Sequence, residues 1–330
     1  MPAVEKTPKV VAYGPSGTPL SGLIPEEAPD DWDLVMVDPR SASQEDLEAE
    51  VDDADFLIVF GGRITPAILR SGRNLRFVQG CSAGFEGFPV AEAGELGILF
   101  SNASGTNAQG VSEMALSLIL GLYRHLPWLD AAVREGDWSN DRSSGTATYE
   151  IEGKTIGIVG LGNIGSITAR LLSGFNSTLI YNDIEAKPDT EAKYGVRRVE
   201  LDELLSESDI VTLHTPLDDS TRGLIGEREL ALMKSTAILI NTCRGPVVDE
   251  SALHDALVQR RIWGAGLDVF EEEPTPSDNP ILRLDNVIVA PHVAGRTTES
   301  YPRRAAFAFQ NMRRILAGDN PLNLITPDQS

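Results

Sequence analysis

Three side-chain types in the second half of the chain suit proton transfer on a small anionic molecule. Arg244 closes the apolar run Leu239-Ile240 just before Gly245, and its planar fork can hold a carboxylate through two parallel hydrogen bonds. His292 follows Val289-Ala290-Pro291 and precedes Val293-Ala294-Gly295, a strand-end placement that suits a crevice. A histidine both gives and takes a proton around pH 7, although a purely structural strand-end histidine has the same sequence surroundings. Acids come from the segment 264–274: Asp268 interrupts an apolar strand, where a charge needs a reason, and Glu271, Glu272 and Glu273 either steady an imidazole or form an acidic surface run. Of the other histidines, His125 lies late in a helical pattern and reads as a cap or surface residue, and His254 falls on a solvated helix face. His214 ends a strand, and either touches a ligand or makes an ordinary turn hydrogen bond. Cys81 and Cys243 are far apart and form no metal-spaced pair, so the sequence offers neither a metal site nor a disulfide framework.

A cofactor with a pyrophosphate is expected beside these groups. The run Thr155 to Val159 ends in Gly160-Leu161-Gly162-Asn163-Ile164-Gly165, and a small-residue helical pattern, Ser166 to Leu172, follows at once. In a G-x-G-x-x-G of this kind the first glycine permits the turn, the second bares the main chain to the phosphates, and the third lets helix and strand approach. The unpaired amides of a helix start then face the anion. A second apolar run ends in Asn182-Asp183, where the acid lies 18 residues beyond Gly165, about where a carboxylate accepts both hydroxyls of an adenosine ribose. That carboxylate would repel a 2′-phosphate, which favours NAD over NADP, with Lys187 and Lys193 nearby as a lesser counterweight.

These residues need a parallel sheet whose strands end at one edge. Short apolar runs recur at 10–13, 34–37, 56–60, 77–79 and 98–100, with helical or turn segments at 44–51, 65–70 and 89–96 between them. That rhythm predicts a small α/β domain. A helix from Ala108 to Tyr123, resuming after Pro127 as far as Arg134, is long enough to pass from one domain to the next. The polar segment 137–148, with Ser143-Ser144-Gly145-Thr146, reads as an exposed loop, and Trp128 and Trp138 beside it as cover for a subunit surface. After Asp183, strands are expected at 196–199, 210–213, 237–240, 265–269 and 287–290, and helices at 201–205, 227–233 and 249–261, completing a doubly wound domain. A last helix, Thr298 to Leu316, is surplus to that sheet and is expected to return to the first domain.

Taken together, GLGNIG at 160–165, Asn182-Asp183, HTPL at 214–217, NTCRGPVVDE at 241–250, GLDVFEEEP at 266–274 and PHVAG at 291–295 resemble, in order and separation, the D-isomer-specific 2-hydroxyacid dehydrogenase family. The resemblance implies an α/β fold of two Rossmann-like or flavodoxin-like domains with parallel sheets. The NAD-binding domain, 105–294, would be inserted in a substrate-binding domain formed by 1–104 and 295–330. It implies that Arg244 binds the substrate carboxylate and orients the 2-oxo group, that His292 exchanges the proton, and that Glu273 holds and tunes His292. Cofactor contacts would come from Gly160, Gly162, Asn163, Ile164, Gly165, Asp183, His214, Thr215, Pro216, Thr242, Cys243, Arg244, Asp268, His292 and Gly295, with Asp268 near the nicotinamide. Ala83, Gly84 and Phe85, in Cys81-Ser82-Ala83-Gly84-Phe85-Glu86, would contact substrate along with Arg244 and His292. Here Phe85-Glu86 stands where the family usually has a hydrophobic residue and aspartate, and Val111-Ser112-Glu113-Met114 lacks the histidine of the commoner form.

The expected activity is reversible hydride transfer between NAD(H) and C2 of a 2-oxo or D-2-hydroxy acid, in a cleft that closes to exclude water. Glyoxylate, hydroxypyruvate or a bulkier 2-oxo acid would be the substrate. A formate dehydrogenase has no need of the Glu273 and His292 pair. A short phosphoglycerate dehydrogenase and an NAD(H)-sensing corepressor or scaffold are the alternatives, the latter disfavoured by the complete set of Arg244, Glu273 and His292. A homodimer is implied by the family.

Composition narrows the partners. The chain has 330 residues, enough for two domains, and 49 acidic against 28 basic residues give a formal charge of -21. Such a surface repels nucleic acid and anionic lipid. No long uncharged apolar stretch suggests a membrane span, and the opening Met1-Pro2-Ala3-Val4-Glu5-Lys6 lacks the pattern of a secretory signal, so a cytoplasmic protein is expected. The acidic excess would also suit a saline cell interior, a reading tested by the salt dependence of thermal stability.

Overall fold

The structure, a computed structural model, describes residues 7–138 and 147–327. The loop segment Ser143-Ser144-Gly145-Thr146 and the opening Met1 to Lys6 lie outside the described residues. The chain divides into two compact units, Met1–Asn107 with Arg296–Ser330, and Ala108–Gly295.

The first unit is built on strands β1 (Lys9–Tyr13), β2 (Asp33–Val37), β3 (Phe56–Val59), β4 (Phe77–Gly80) and β5 (Leu99–Ser101). They lie in the order β2-β1-β3-β4-β5 and are parallel throughout, the flavodoxin-like arrangement. Alternate residues of each strand face opposite layers. Val11, Leu57 and Val78 meet the helices Gln44–Val51 and Pro66–Ser71 on one face, whereas Val10, Ala12, Phe56, Ile58 and Phe77 meet Ala305, Ala308, Phe309 and Met312 on the other. The latter four belong to the helix Ser300–Leu316, which is part of this unit. Behind it, Asn311 donates to Gln79 Oε1 at 2.8 Å and accepts from Leu322 N at 2.8 Å, so the chain turns back beside β5. There β13 (Leu324–Ile325) adds an antiparallel edge.

The second unit carries β6 (Thr155–Val159), β7 (Thr178–Asn182), β8 (Arg197–Arg198), β9 (Ile210–Leu213), β10 (Ile238–Asn241), β11 (Gly264–Leu267) and β12 (Val287–Val289). Their order is β8-β7-β6-β9-β10-β11-β12, all parallel, which is the doubly wound order with one strand added. Ile156, Ile158, Ile238 and Ile240 face the layer containing the helix Ala108–Tyr123, and Val159, Val211 and Leu239 face the layer containing the helix Glu250–Val258. Burial on both faces explains why β9, β10 and β11 are apolar without alternation. Among the described residues, no helix is long and apolar enough to cross a membrane.

Candidate functional site

Because the strands of the second unit run parallel, their carboxyl ends share one edge, and every expected cofactor and catalytic residue of that unit lies there. The Gly160 loop follows β6, Asp183 follows β7, His214 follows β9, Thr242 to Arg244 follow β10, Asp268 and Glu273 follow β11, and His292 follows β12. This row of strand ends spans the point where strand order reverses, between β6 and β9, the usual place for a ligand in an open α/β sheet.

Gly160 adopts φ 87°, a left-handed turn that a side chain resists. A Cβ on Gly165 would lie 2.0 Å from Gly160 O, so only glycine lets the helix Asn163–Leu172 start against its strand. At Gly162 a Cβ would meet nothing within 4 Å, leaving exposed main chain at the helix start with Asn163 and Ile164 behind it. Ser112, fully buried in the helix Ala108–Tyr123, bonds Ile164 O at 3.0 Å and supports that turn from below.

Asp183 is bound into the same loop. Its Oδ2 accepts from Leu161 N at 2.7 Å and its Oδ1 from Glu185 N at 3.0 Å, while Arg198 donates to the Asp183 carbonyl at 2.7 Å. Lys187 pairs with Glu185 at 2.8 Å. The His214 main chain abuts Gly160, and its ring Nε2 lies 3.0 Å from Thr212 Oγ1. Burial pushes the His214 pKa down to about 3, so this ring is neutral at physiological pH and is no proton donor there. Its Nδ1 and the Thr242 hydroxyl are buried with no hydrogen-bond partner among the described residues. Buried polar atoms of this kind normally have partners, and these two suit the polar groups of a dinucleotide. The bare helix start, the anchored acid and the unsatisfied polar atoms together fit NAD.

The proton-transfer groups are built from two adjoining loops. His292 Nδ1 lies 2.6 Å from Glu273 Oε2, and the other oxygen, Oε1, accepts from Phe270 N at 3.0 Å. The carboxylate is thus held at both ends, and with Nδ1 engaged the ring's Nε2 is left as the nitrogen that exchanges a proton. The His292 side chain is 45% exposed, as a group that meets an incoming molecule must be. Its backbone has φ 52°, uncommon for histidine, and Asp268 stabilises this turn. The buried carboxylate accepts from Val293 N at 2.9 Å and Ala294 N at 2.8 Å, and the Asp268 carbonyl accepts from His292 N at 2.7 Å. Asp268 therefore earns its place in an apolar strand by satisfying three successive amides. Arg244 is partly buried, and its Nη1 donates to Cys243 O at 2.6 Å.

In the first unit, Ala83, Gly84 and Phe85 follow β4. Asn102 holds Ala83 O at 2.6 Å and the Ser82 hydroxyl holds Gly84 O at 2.6 Å, so the loop is braced by side chains. Phe85 packs against the apolar core of its own unit.

His125 and His254 are not gathered to this edge. His125 occupies the cap of the helix Leu126–Arg134 at φ 52°, with its ring against Trp128 and Trp263, and burial lowers its pKa. His254 lies on a helix beside Asp255 at 3.2 Å. Asn241 and Ser112 escaped the sequence reading as supporting residues. An asparagine ending a strand before a turn was the available signal for the first, because its amide readily bonds main chain two residues on. Nothing in the helix pattern marked the second.

Comparison with known proteins identifies the family. Residues 116–294 match the model of the D-isomer specific 2-hydroxyacid dehydrogenase NAD binding domain. The chain is 38% identical over 293 residues to a glyoxylate reductase of Korarchaeum cryptofilum, covering 88% of each chain. It is 39% identical over 289 residues to a glyoxylate reductase of Thermofilum pendens, covering 87% of this chain and 85% of that one. Among solved structures it superposes on a D-lactate dehydrogenase of Aquifex aeolicus complexed with NAD and lactic acid, with a TM-score of 0.80, 29% identity, and 94% and 96% of the two chains covered. The chain belongs to the D-isomer-specific 2-hydroxyacid dehydrogenase family.

Proposed function

We propose that this NAD-dependent oxidoreductase reduces small 2-oxo acids, glyoxylate and hydroxypyruvate foremost, and that Arg244, Glu273 and His292 carry the reaction. The observation that bears most weight is the 2.6 Å pairing of His292 Nδ1 with Glu273, on the same sheet edge as Arg244. The names of the two reductases point to glyoxylate as the first substrate to try.

NADH, when bound, supplies the hydride that C2 of the 2-oxo acid receives. Gly160, Gly162, Asn163, Ile164 and Gly165 would hold its pyrophosphate, Asp183 its adenosine ribose, and His214, Thr215, Pro216, Thr242, Cys243 and Gly295 would line the remaining contacts. Arg244 binds the substrate carboxylate and stabilises negative charge growing on the 2-oxo oxygen. His292, protonated and steadied through Nδ1 by Glu273, gives the proton from Nε2 to that oxygen, and the product is the 2-hydroxy acid. In the reverse direction the neutral ring removes the hydroxyl proton. Asp268 keeps the histidine turn in place, and the family resemblance adds Ala83, Gly84 and Phe85 as further substrate contacts. The repulsion between the Asp183 carboxylate and a 2′-phosphate favours NADH over NADPH.

The test is NADH oxidation followed by the absorbance of its dihydronicotinamide, across small, branched and aromatic 2-oxo acids. Glyoxylate or hydroxypyruvate should give the highest kcat/KM. His292→Ala should lower kcat by ~10²–10⁴-fold. Near-normal turnover in that variant would remove His292 from the mechanism, and absence of turnover with every 2-oxo acid would favour the NAD(H)-sensor reading.

We further place the enzyme in the cytoplasm as a homodimer. Support for a reducing compartment comes from Cys81 and Cys243, both buried free thiols. Support for the dimer comes from apolar side chains left in solvent on the helices 108–123 and 126–134.

A further inference from the structure

We infer that Asn241 is a positioning residue that sets the direction of the Arg244 guanidinium, a role that rests on the function proposed above. Asn241 is the last residue of β10 and is 1% exposed. Its side chain spans the turn that follows. Oδ1 accepts from Cys243 N at 3.1 Å and from the Cys243 thiol at 3.1 Å, and Nδ2 donates to Arg244 O at 3.0 Å. Both ends of the Cys243-Arg244 dipeptide are therefore fixed by one amide. The Cys243 carbonyl between them in turn receives Nη1 of Arg244 at 2.6 Å. Asn241 to Cys243, Cys243 to the guanidinium and Arg244 back to Asn241 form a closed circuit of hydrogen bonds, and the guanidinium is one member of it.

The next residue locks the turn to the other half of the chemistry. A Cβ on Gly245 would fall 1.8 Å from Phe270 O, so the turn is pressed against the Phe270 main chain. The Phe270 amide donates to Glu273, which holds His292. A turn loosened at Asn241 changes the aim of Arg244 first, while the glycine loop after β6 and the anchoring of Asp183 involve other atoms. An alanine at Asn241 removes all three side-chain bonds. An aspartate has the same shape and keeps acceptors for Cys243, but replaces the donor to Arg244 O with an oxygen.

The experiment is a double-mutant cycle on kcat/KM for glyoxylate, with Asn241→Ala, Arg244→Lys and the double variant, and with NADH affinity read by fluorescence. The lysine retains a cation and with it measurable turnover. Asn241→Ala should lower kcat/KM roughly 10- to 100-fold, mainly through a higher KM, and should lower NADH affinity by much less, the smaller loss arising through Cys243, which Asn241 also holds. In the Arg244→Lys background the same change should cost less than about twofold, because the group it aims is already gone. Losses that multiply, an unchanged kcat/KM for Asn241→Ala, or a matching loss of NADH affinity would each overturn the assignment. Should the alanine variant fail to fold, Asn241→Asp carries the same cycle and the same expectations. Turnover indifferent to Arg244→Lys would remove the proposed role of Arg244 itself, whereas a full Arg244→Lys loss beside an unaffected Asn241 variant would remove Asn241 alone.

Discussion

At the level of single residues, burial separates two histidines that the sequence places alike, at the ends of strands. His292 is exposed and pairs with Glu273, whereas His214 is buried and its pKa falls to about 3. The consequence for stability has a definite sign. Above pH 6.5 neither folded nor unfolded chain protonates His214; between 6.5 and about 3 the unfolded chain takes up a proton that the folded one refuses, so stability is lost as pH falls. The slope reaches about 1.4 kcal/mol per pH unit, or about 2 kcal/mol between pH 6.5 and 5. His125, whose pKa burial also lowers, adds to the same trend, so the comparison has to be made against a variant. Urea unfolding at pH 7 and pH 5 should show His214→Gln losing about 2 kcal/mol less on acidification than the parent. Equal losses would show that His214 titrates normally in the fold. Asp46 and Asp52, held by hydrogen bonds below the ordinary aspartate value, change protonation below the pH 7 to 5 range of this comparison and add nothing to it.

Among elements, the strand, glycine turn and helix from Thr155 to Leu172 make the most specific demand. Gly162 and Gly165 carry different burdens, one toward a ligand and one toward the fold. A methyl group at Gly165 meets Gly160 O at 2.0 Å and must push the helix off its strand, at a cost of about 1–3 kcal/mol, whereas at Gly162 it meets no protein atom within 4 Å. Gly165→Ala should therefore lose both thermal stability and NADH affinity, and Gly162→Ala should lose NADH affinity, by roughly 10-fold, with its melting temperature intact. A Gly162→Ala enzyme with parental NADH affinity would place the pyrophosphate elsewhere. This element was legible in the sequence because its constraints are local, as were the apolar strands of both sheets. The helix Pro19–Glu27 was not, since Pro19, Gly22 and Pro25 break the helical pattern and only Leu20 and Ile24 are buried to mark it. Nor was β13, whose two residues are too few to show a period. In the site, residue type and strand-end position mark Arg244 and His292 as candidates, whereas only the family resemblance picks Glu273 out of three successive glutamates. The actual partners of Asp268 and Asn241 could not, because they are main-chain atoms brought within reach by turns, one of them holding His292 at φ 52°.

For the whole molecule, the formal charge of -21 and the exposed apolar side chains oppose one another in any association of two copies. On the helices 108–123 and 126–134, Leu120 is 37% exposed, Leu126 63%, Leu129 40% and Val133 51%, and Trp138, just beyond them, is 85% exposed. Apolar side chains clustered in sequence on consecutive helices are more than the scattered exposure of a monomer surface requires. A twofold contact presents the same face from each copy, so each side chain counts twice. Four leucines, two from each copy, at about 1 kcal/mol each for the area still open to water, contribute about 4 kcal/mol, or roughly 10³ in dissociation constant. Light scattering should give a mass twice the 35.6 kDa of one chain, and Leu126→Glu with Leu129→Glu should yield the monomer at micromolar concentration. Because like charges repel over about 10 Å at ~0.1 M salt and much less at ~1 M, added salt should tighten the parent dimer. A dimer untouched by the paired substitutions would mean that a different face associates, and a monomeric parent at every salt concentration would mean that these side chains serve some other purpose.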